Sequence, residues 1–202
     1  MTLVEDIVVK KLGRAAYVPT LEAMRAFTLG RGQNTADELW LLEHPPVYTL
    51  GQGAEHAPVK NAIPLVKADR GGDITYHGPG QLVVYTLIDL ARRGLKVKQF
   101  VALLEEAVID LLDGRGERRA GAPGVYVNGA KIAALGIRVR QGRAYHGLSL
   151  NVDMDLSPFS SIDPCGYPGL AVTQLRDLGS LESVDTAGQH LAKILIGKIA
   201  NA

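Results

Sequence analysis

The chain has 202 residues, 47% of them hydrophobic, with 22 Lys and Arg against 21 Asp and Glu and a single cysteine. That length buries roughly 70% of the unfolded surface, so an ordinary core is available, while the even charge balance argues against a global field for nucleic acid or an anionic membrane. One cysteine leaves no intramolecular disulfide, and the longest apolar stretch, near residues 82–90, falls short of the ~18 residues that span a bilayer. Glu5 and Asp6 stand where a secretory leader would carry positive charge, so the expected compartment is the cytoplasm. No repeat, low-complexity tract or linker divides the chain, and residues 1–202 read as a single domain.

In chain order, residues 3–12 read as a strand and residues 20–29 as a helix opened by Thr20 after Pro19. Two strands follow at 38–43 and 47–50, separated at Pro45-Pro46 because proline cannot donate to a ladder. Residues 82–90 are strand-like. Residues 97–112 place Val97, Phe100, Val101, Leu104, Val108, Leu111 and Leu112 on one helical face, which predicts a helix covering a sheet. The strongest local signal is a hairpin, 125–127 to 131–137, around Asn128-Gly129, with a second turn at Gln141-Gly142 leading into 144–153. A final helix over 186–201 is expected to pack on the outside. Consecutive hairpins with flanking helices predict an α+β class with a mixed, largely antiparallel sheet and helices packed on one side.

Cys165 lies between Pro164 and Gly166, with Pro168 and Gly169 close behind, a segment that forbids a regular core element. A lone cysteine often serves only as a small buried hydrophobe, but a loop position favours access to substrate. Such a thiol needs a partner to become a thiolate. Lys131 follows a hairpin turn and opens a strand apolar on both faces, so it is expected to enter the interior, beside Ala133 and Ala134; the bland alternative is a lysine that reaches back to water. Arg70, Gly71, Gly72, Asp73, Ile74, Thr75, Tyr76 and His77, continuing to Gln81, form the densest polar and glycine-rich stretch. Glycine lets backbone N–H groups approach a ligand, and the Gly-Lys-Ser/Thr ending of a phosphate loop is missing. His44 and His146 read as structural residues, no histidine pair has a local metal spacing, and a Cys–His hydrolase using His77 or His146 stays open on residue types alone.

At these residues the sequence resembles the lipoyl(octanoyl) transferases. The stretch from Arg70 to Gln81 is similar to that family's signature, and three more segments follow in order: 124–139 with Lys131, 146–156, and 163–167 with Cys165. The resemblance runs from about residue 3 to 178 and departs at Asp73 and Tyr126, where Gln and Trp are expected. It implies a fold shared with biotin and lipoate protein ligase catalytic domains. It further implies Cys165 and Lys131 as a catalytic pair, and an acyl chain held by Arg70 to His77, by Ala134, Leu135 and Gly136, and by Gly147, Leu148 and Ser149. The implied donor is octanoyl-acyl carrier protein. The implied acceptors are the lipoyl domains of 2-oxoacid dehydrogenase complexes and the glycine cleavage H protein, and neither cofactor nor metal is called for. A monomer is expected, with a docking patch for an acidic carrier at Arg138, Arg140 and Arg143, or at Arg92, Arg93, Lys96 and Lys98. Rival readings are an ATP-dependent ligase of the same fold, a thioesterase, and a non-enzymatic carrier-binding module.

Overall fold

In the computed structural model, residues 7–54, 61–162 and 170–202 are described. β1 (Ile7–Arg14) runs parallel to β2 (Asp37–Glu43), and α1 (Tyr17–Gly30) is the crossover between them. The helix starts one turn before the expected Thr20. Ala16 is its N-cap residue, Pro19 sits in the first turn where its missing N–H costs nothing, and Thr20 Oγ1 donates back to Ala16 O at 2.7 Å instead of capping.

The Pro45-Pro46 break carries the chain out of the first sheet altogether. β3 (Val47–Leu50) pairs with β4 (Leu65–Lys67) and β5 (Ile74–His77) in a separate three-stranded sheet of order β4-β3-β5. β6 (Gln81–Leu87) returns antiparallel to β2; the one-turn helix α2 (Leu90–Arg93) and the long α3 (Val97–Leu111) follow. Then come β7 (Glu117–Arg118), β8 (Gly124–Val127), β9 (Ala130–Arg140), β10 (Arg143–Asn151) and α4 (Val184–Ala200). The main sheet has the order β1-β2-β6-β10-β9-β8-β7, and every neighbouring pair except β1–β2 is antiparallel. Both expected hairpins are present. Asn128 and Gly129 have φ of 50° and 84°, Gln141 and Gly142 51° and 76°, the pair of positive φ angles that a two-residue primed turn requires.

The period-2 alternation of the strands sorts their side chains to two faces. Leu39, Leu41, Leu82, Val84, Leu148 and Leu150 join Phe100, Leu104 and Val108 of α3 and Leu191 and Leu195 of α4 in the main core. The final helix is therefore a core element rather than an outer attachment: Leu191 and Leu195 are fully buried, each contributing about 1.5–3 kcal/mol. Its start is fixed by Ser183, whose Oγ accepts from Thr186 N. On the opposite face, Trp40, Leu42, Val83, Tyr85 and Tyr145 meet Tyr17, Leu21 and Met24 of α1. The two long helices thus cover one side, and α1 with the small sheet covers the other.

Candidate active site

The slot between the two sheets is where most of the sequence-predicted site residues meet. On β9, Leu135 and Ile137 pack toward the helices, which turns Ala134 and Gly136 the other way; on β10, Leu148 and Leu150 do the same for Gly147, Ser149 and Asn151. Small residues at four of these floor positions leave room above the sheet. The roof comes from the polar stretch, with Arg70, Gly72, Asp73, Ile74, Thr75 and His77 lining the same cavity as Lys131, Ala134, Leu135, Gly136, Gly147, Leu148 and Ser149. Gly71 and Tyr76 serve the wall from outside. Gly71 N donates to Ile137 O at 3.0 Å, and Tyr76 packs between Tyr48 and Phe159. This docking requires glycine at 136, because a Cβ there would stand 2.8 Å from Gly71 O.

Lys131 enters the interior as its position suggested, and is 4% exposed. Its side chain passes over the face of Tyr126, with Nζ 5.4 Å from the ring centroid, and threads past Gly124, where a Cβ would lie 2.5 Å from Lys131 Cε and 3.2 Å from Nζ. Gly124 has φ of 143° and donates its N–H to the buried Glu105 at 3.0 Å. On the backbone, Lys131 N donates to Ala171 O at 2.8 Å and accepts at its own carbonyl from Thr173 N at 3.0 Å. Cys165, the other member of the expected pair, lies outside the described residues. It stands six positions after Phe159 and seven before Val172 in sequence, and both of those residues line the slot.

A polar chain joins the roof to the Lys131 strand. His77 Nδ1 pairs with Gln81 Oε1 at 2.7 Å, Gln81 Nε2 donates to Tyr76 O and to Asn151 Oδ1, and Asn151 Nδ2 donates to Thr173 O at 2.9 Å. Because the Gln81 amide nitrogen is spent on two acceptors, its oxygen accepts and His77 Nδ1 carries the proton. Burial, reinforced by nearby His44, pushes the His77 imidazole down to about 3, so it is neutral at physiological pH. Burial also lowers His44, whose Nδ1 and Nε2 are engaged by Ala15 O and the Tyr85 hydroxyl. His146, lowered by burial against the opposing pull of Asp69, donates Nε2–H to Asp69 Oδ1 at 2.8 Å. Arg70 is fixed to Thr49, with Nη2 2.5 Å from its carbonyl and 2.9 Å from its hydroxyl. No group of three or more His, Cys, Asp or Glu side chains suited to a metal ion occurs among the described residues.

Sequence reading missed several lining residues: Tyr17, Gln81, Val83, Tyr85, Asn151, Phe159 and Val172. Gln81 closed the polar stretch already singled out, but its pairing with Asn151 spans 70 positions and leaves no local signal.

The fold, a seven-stranded sheet beside a three-stranded one, is similar to that of lipoate-protein ligase A bound with ATP, which superposes with a TM-score of 0.78 at 18% identity, covering 96% of this chain and 85% of that one. The chain belongs to the lipoyl protein ligase A/B catalytic domain family, whose model matches residues 16–195. Among curated proteins it is 63% identical to the octanoyltransferase of Aromatoleum aromaticum, over 94% of this chain and 84% of that protein. It is 61% identical to the octanoyltransferase of Thiobacillus denitrificans, over 94% and 89%.

Proposed function

We propose that this protein is an octanoyltransferase of protein lipoylation, moving an octanoyl group from octanoyl-acyl carrier protein to the acceptor lysine of a lipoyl domain through a thioester on Cys165. The observation that carries the reading is the buried Lys131 side chain at a slot whose floor is cleared by Ala134, Gly136, Gly147 and Ser149. Its identity to octanoyltransferases over nearly the whole chain supports the same activity.

In the first half-reaction the Cys165 thiolate attacks the thioester carbonyl, the carrier's C–S bond breaks, and Lys131 gives its proton to the departing thiolate. The acyl group stays on sulfur. In the second, the now neutral Lys131 takes a proton from the incoming lysine, whose ordinary pKa near 10.4 keeps it charged and unreactive at pH 7. The freed amine attacks the enzyme thioester, the C–S bond breaks as the amide forms, the second amine proton passes to solvent, and the Cys165 thiolate returns beside the protonated Lys131. No cofactor is consumed. The acceptors are the lipoyl domains of 2-oxoacid dehydrogenase complexes and the glycine cleavage H protein, and the enzyme works as a single-domain monomer in the cytoplasm. No helix among the described residues is long and apolar enough to cross a membrane.

For docking an acidic carrier, Arg138 and Arg140 fit best. Both are exposed at the far end of β9, while Arg92 and Arg93 are drawn inward to Asp37 and Arg143 to Asp89. The test is the intact mass of an apo lipoyl domain after incubation with octanoyl-carrier and enzyme without ATP. One octanoyl addition is expected from wild type and none from Cys165→Ala or Lys131→Ala; addition only when ATP and free octanoate are supplied would assign an ATP-dependent ligase instead.

A further inference from the structure

We propose that Tyr126 is a positioning residue for acyl transfer, its ring holding the Lys131 ammonium in its working place by cation–π attraction. The proposal rests on the transferase reading for the task of Lys131, and on the geometry of β8 and β9 for its place.

Strict alternation would send Lys131 the wrong way. Ala133 and Leu135 of β9 face the helix-side core, so a residue two positions before Ala133 would belong there too. The strand carries one extra residue instead. Val125 pairs with Ala133 but Tyr126 with Lys131, which leaves Ile132 without a partner on β8. Ile132 is buried in that same core, and Lys131 comes out on the slot face. There it stands directly across the ladder from Tyr126, whose neighbours Val125 and Val127 also turn to the helices.

The ring it meets is fixed from several sides. Tyr126 is fully buried, and its hydroxyl donates to Ala122 O at 3.1 Å. From the β7 side Arg119 lays its guanidinium carbon 4.3 Å from the ring centroid, and it donates to Gly129 O at 3.0 Å, in the turn that leads into β9. From the β9 side Lys131 Nζ stands 5.4 Å from the same centroid. Two cations beside one buried side chain repel each other, and an aliphatic group of equal bulk does nothing to offset that. The negative face of an aromatic ring attracts both. Tyr126 itself stays out of the slot lining, so changing its ring acts on Lys131 and leaves the acyl pocket as it is.

The test compares wild type with Tyr126→Leu and with a series at position 126 that starts from Tyr126→Phe and adds one, two and three ring fluorines. The fluorines weaken the negative face stepwise at nearly constant size. Single-turnover transfer and the donor KM are measured. In parallel the Lys131 Cε methylene is followed by NMR, because a ring face moves the protons above it upfield. The methylene should lie upfield in wild type and return to its ordinary position in Tyr126→Leu. Transfer should slow with each fluorine, and Tyr126→Leu should lose about thirtyfold, the worth of a desolvated cation–π contact, with the donor KM unchanged. A rate that stays flat across the fluorine series would overturn the proposal, as would a folded Tyr126→Leu at the wild-type rate; the series decides the matter even where the leucine variant does not fold. Failure of wild type to transfer any acyl group would refute the transferase reading instead. The methylene would still report on the hold: an ordinary position in wild type, or one unmoved in Tyr126→Leu, refutes it.

Discussion

Replacing Gly124 by alanine adds one carbon and two hydrogens, yet the structure assigns it two separate costs. The first is conformational: at φ of 143° an L-residue is strained, by about 1–3 kcal/mol for a sparsely populated region. The second is steric, because the new methyl would meet Ala133 O at 2.6 Å and Lys131 Cε at 2.5 Å. The carbonyl belongs to a paired strand and cannot withdraw, so the lysine side chain gives way, and at contacts this short Nζ moves by about an ångström. A displacement of that size at a reacting group costs on the order of a hundredfold in rate. The expected result is a folded protein with Tm lowered by several degrees, single-turnover transfer slowed about a hundredfold, and an unchanged KM for the donor, since the slot floor is untouched. Gly124→Ala with wild-type Tm and wild-type rate would show that neither the backbone angle nor the lysine path is as constrained as described, and Lys131 would lose its claim to a fixed position.

Asp37 is fully buried and receives Arg31, Arg92 and Arg93 together with Asp89 N; burial alone would raise its carboxyl, but these bonds hold it below the usual range. Asp37→Asn leaves clustered cations without their counter-charge and should cost about 3–5 kcal/mol in denaturant unfolding; a loss under 1 kcal/mol would contradict the ion-pair account. At Asp69, burial opposes and the bonds from His146 and Tyr145 outweigh it, so the folded pKa lies well below the unfolded value near 3.9. Its stabilisation is present above that value and lost as pH falls below it, and Asp69→Asn should flatten the acid arm of a Tm-versus-pH curve below about pH 4. His77, with a folded value of about 3 against an ordinary 6.5, binds its proton in the unfolded chain first, so stability should fall as pH drops from 6.5 toward 3, by at most about 1.4 kcal/mol per pH unit. His77→Gln should remove that slope, and a persisting slope would assign it to other groups. Charge reversal at Arg138 and Arg140 should raise the donor KM and weaken its salt dependence with kcat unchanged; transfer insensitive to both would exclude that docking face.

Both hairpins were legible because a two-residue turn states its own geometry: Asn128-Gly129 and Gln141-Gly142 take the positive φ angles their residue types tolerate. The inward course of Lys131 was legible for the same local reason, a polar residue leading an apolar strand directly out of such a turn. What the sequence hid was set by distance along the chain. The switch of sheet after Pro45-Pro46 depends on pairing with strands up to thirty positions later, so the diproline reads as a break and not as a change of layer. The arginines at 92 and 93 looked like a surface patch because Asp37, which binds them, lies 55 and 56 positions upstream. Tyr17 gave no signal either, since a tyrosine in the first turn of an amphipathic helix is ordinary until the cavity it faces is seen. The helix boundary moved because Thr20 donates back within the first turn, a use of threonine that competes with capping.

The electrostatics of the slot also narrow where a proton can go. His77 and His146 line it and His44 packs against His77, and residue type alone would make any of them a candidate base. The structure places His44 between a carbonyl and a phenol that occupy both ring nitrogens, ties His77 Nδ1 to Gln81, and commits His146 Nε2–H to Asp69. All three are held below their ordinary pKa by burial, so taking up a proton at neutral pH opposes their surroundings in every case. A general base gains from a pKa near the working pH and from a free lone pair facing substrate, and these imidazoles offer neither together. The His77 hydrogen bond instead connects the roof, the floor and the Lys131 strand through Gln81 and Asn151, while His44 and His146 are tied to Ala15, Tyr85 and Asp69. These bonds give the uncharged rings the work of fixing shape, and the proposed transferase reading leaves the proton to Lys131. It predicts that His77→Gln changes acid stability far more than it changes the pH profile of transfer, whereas a profile that lost its limb in His77→Gln would return the histidine to the chemistry.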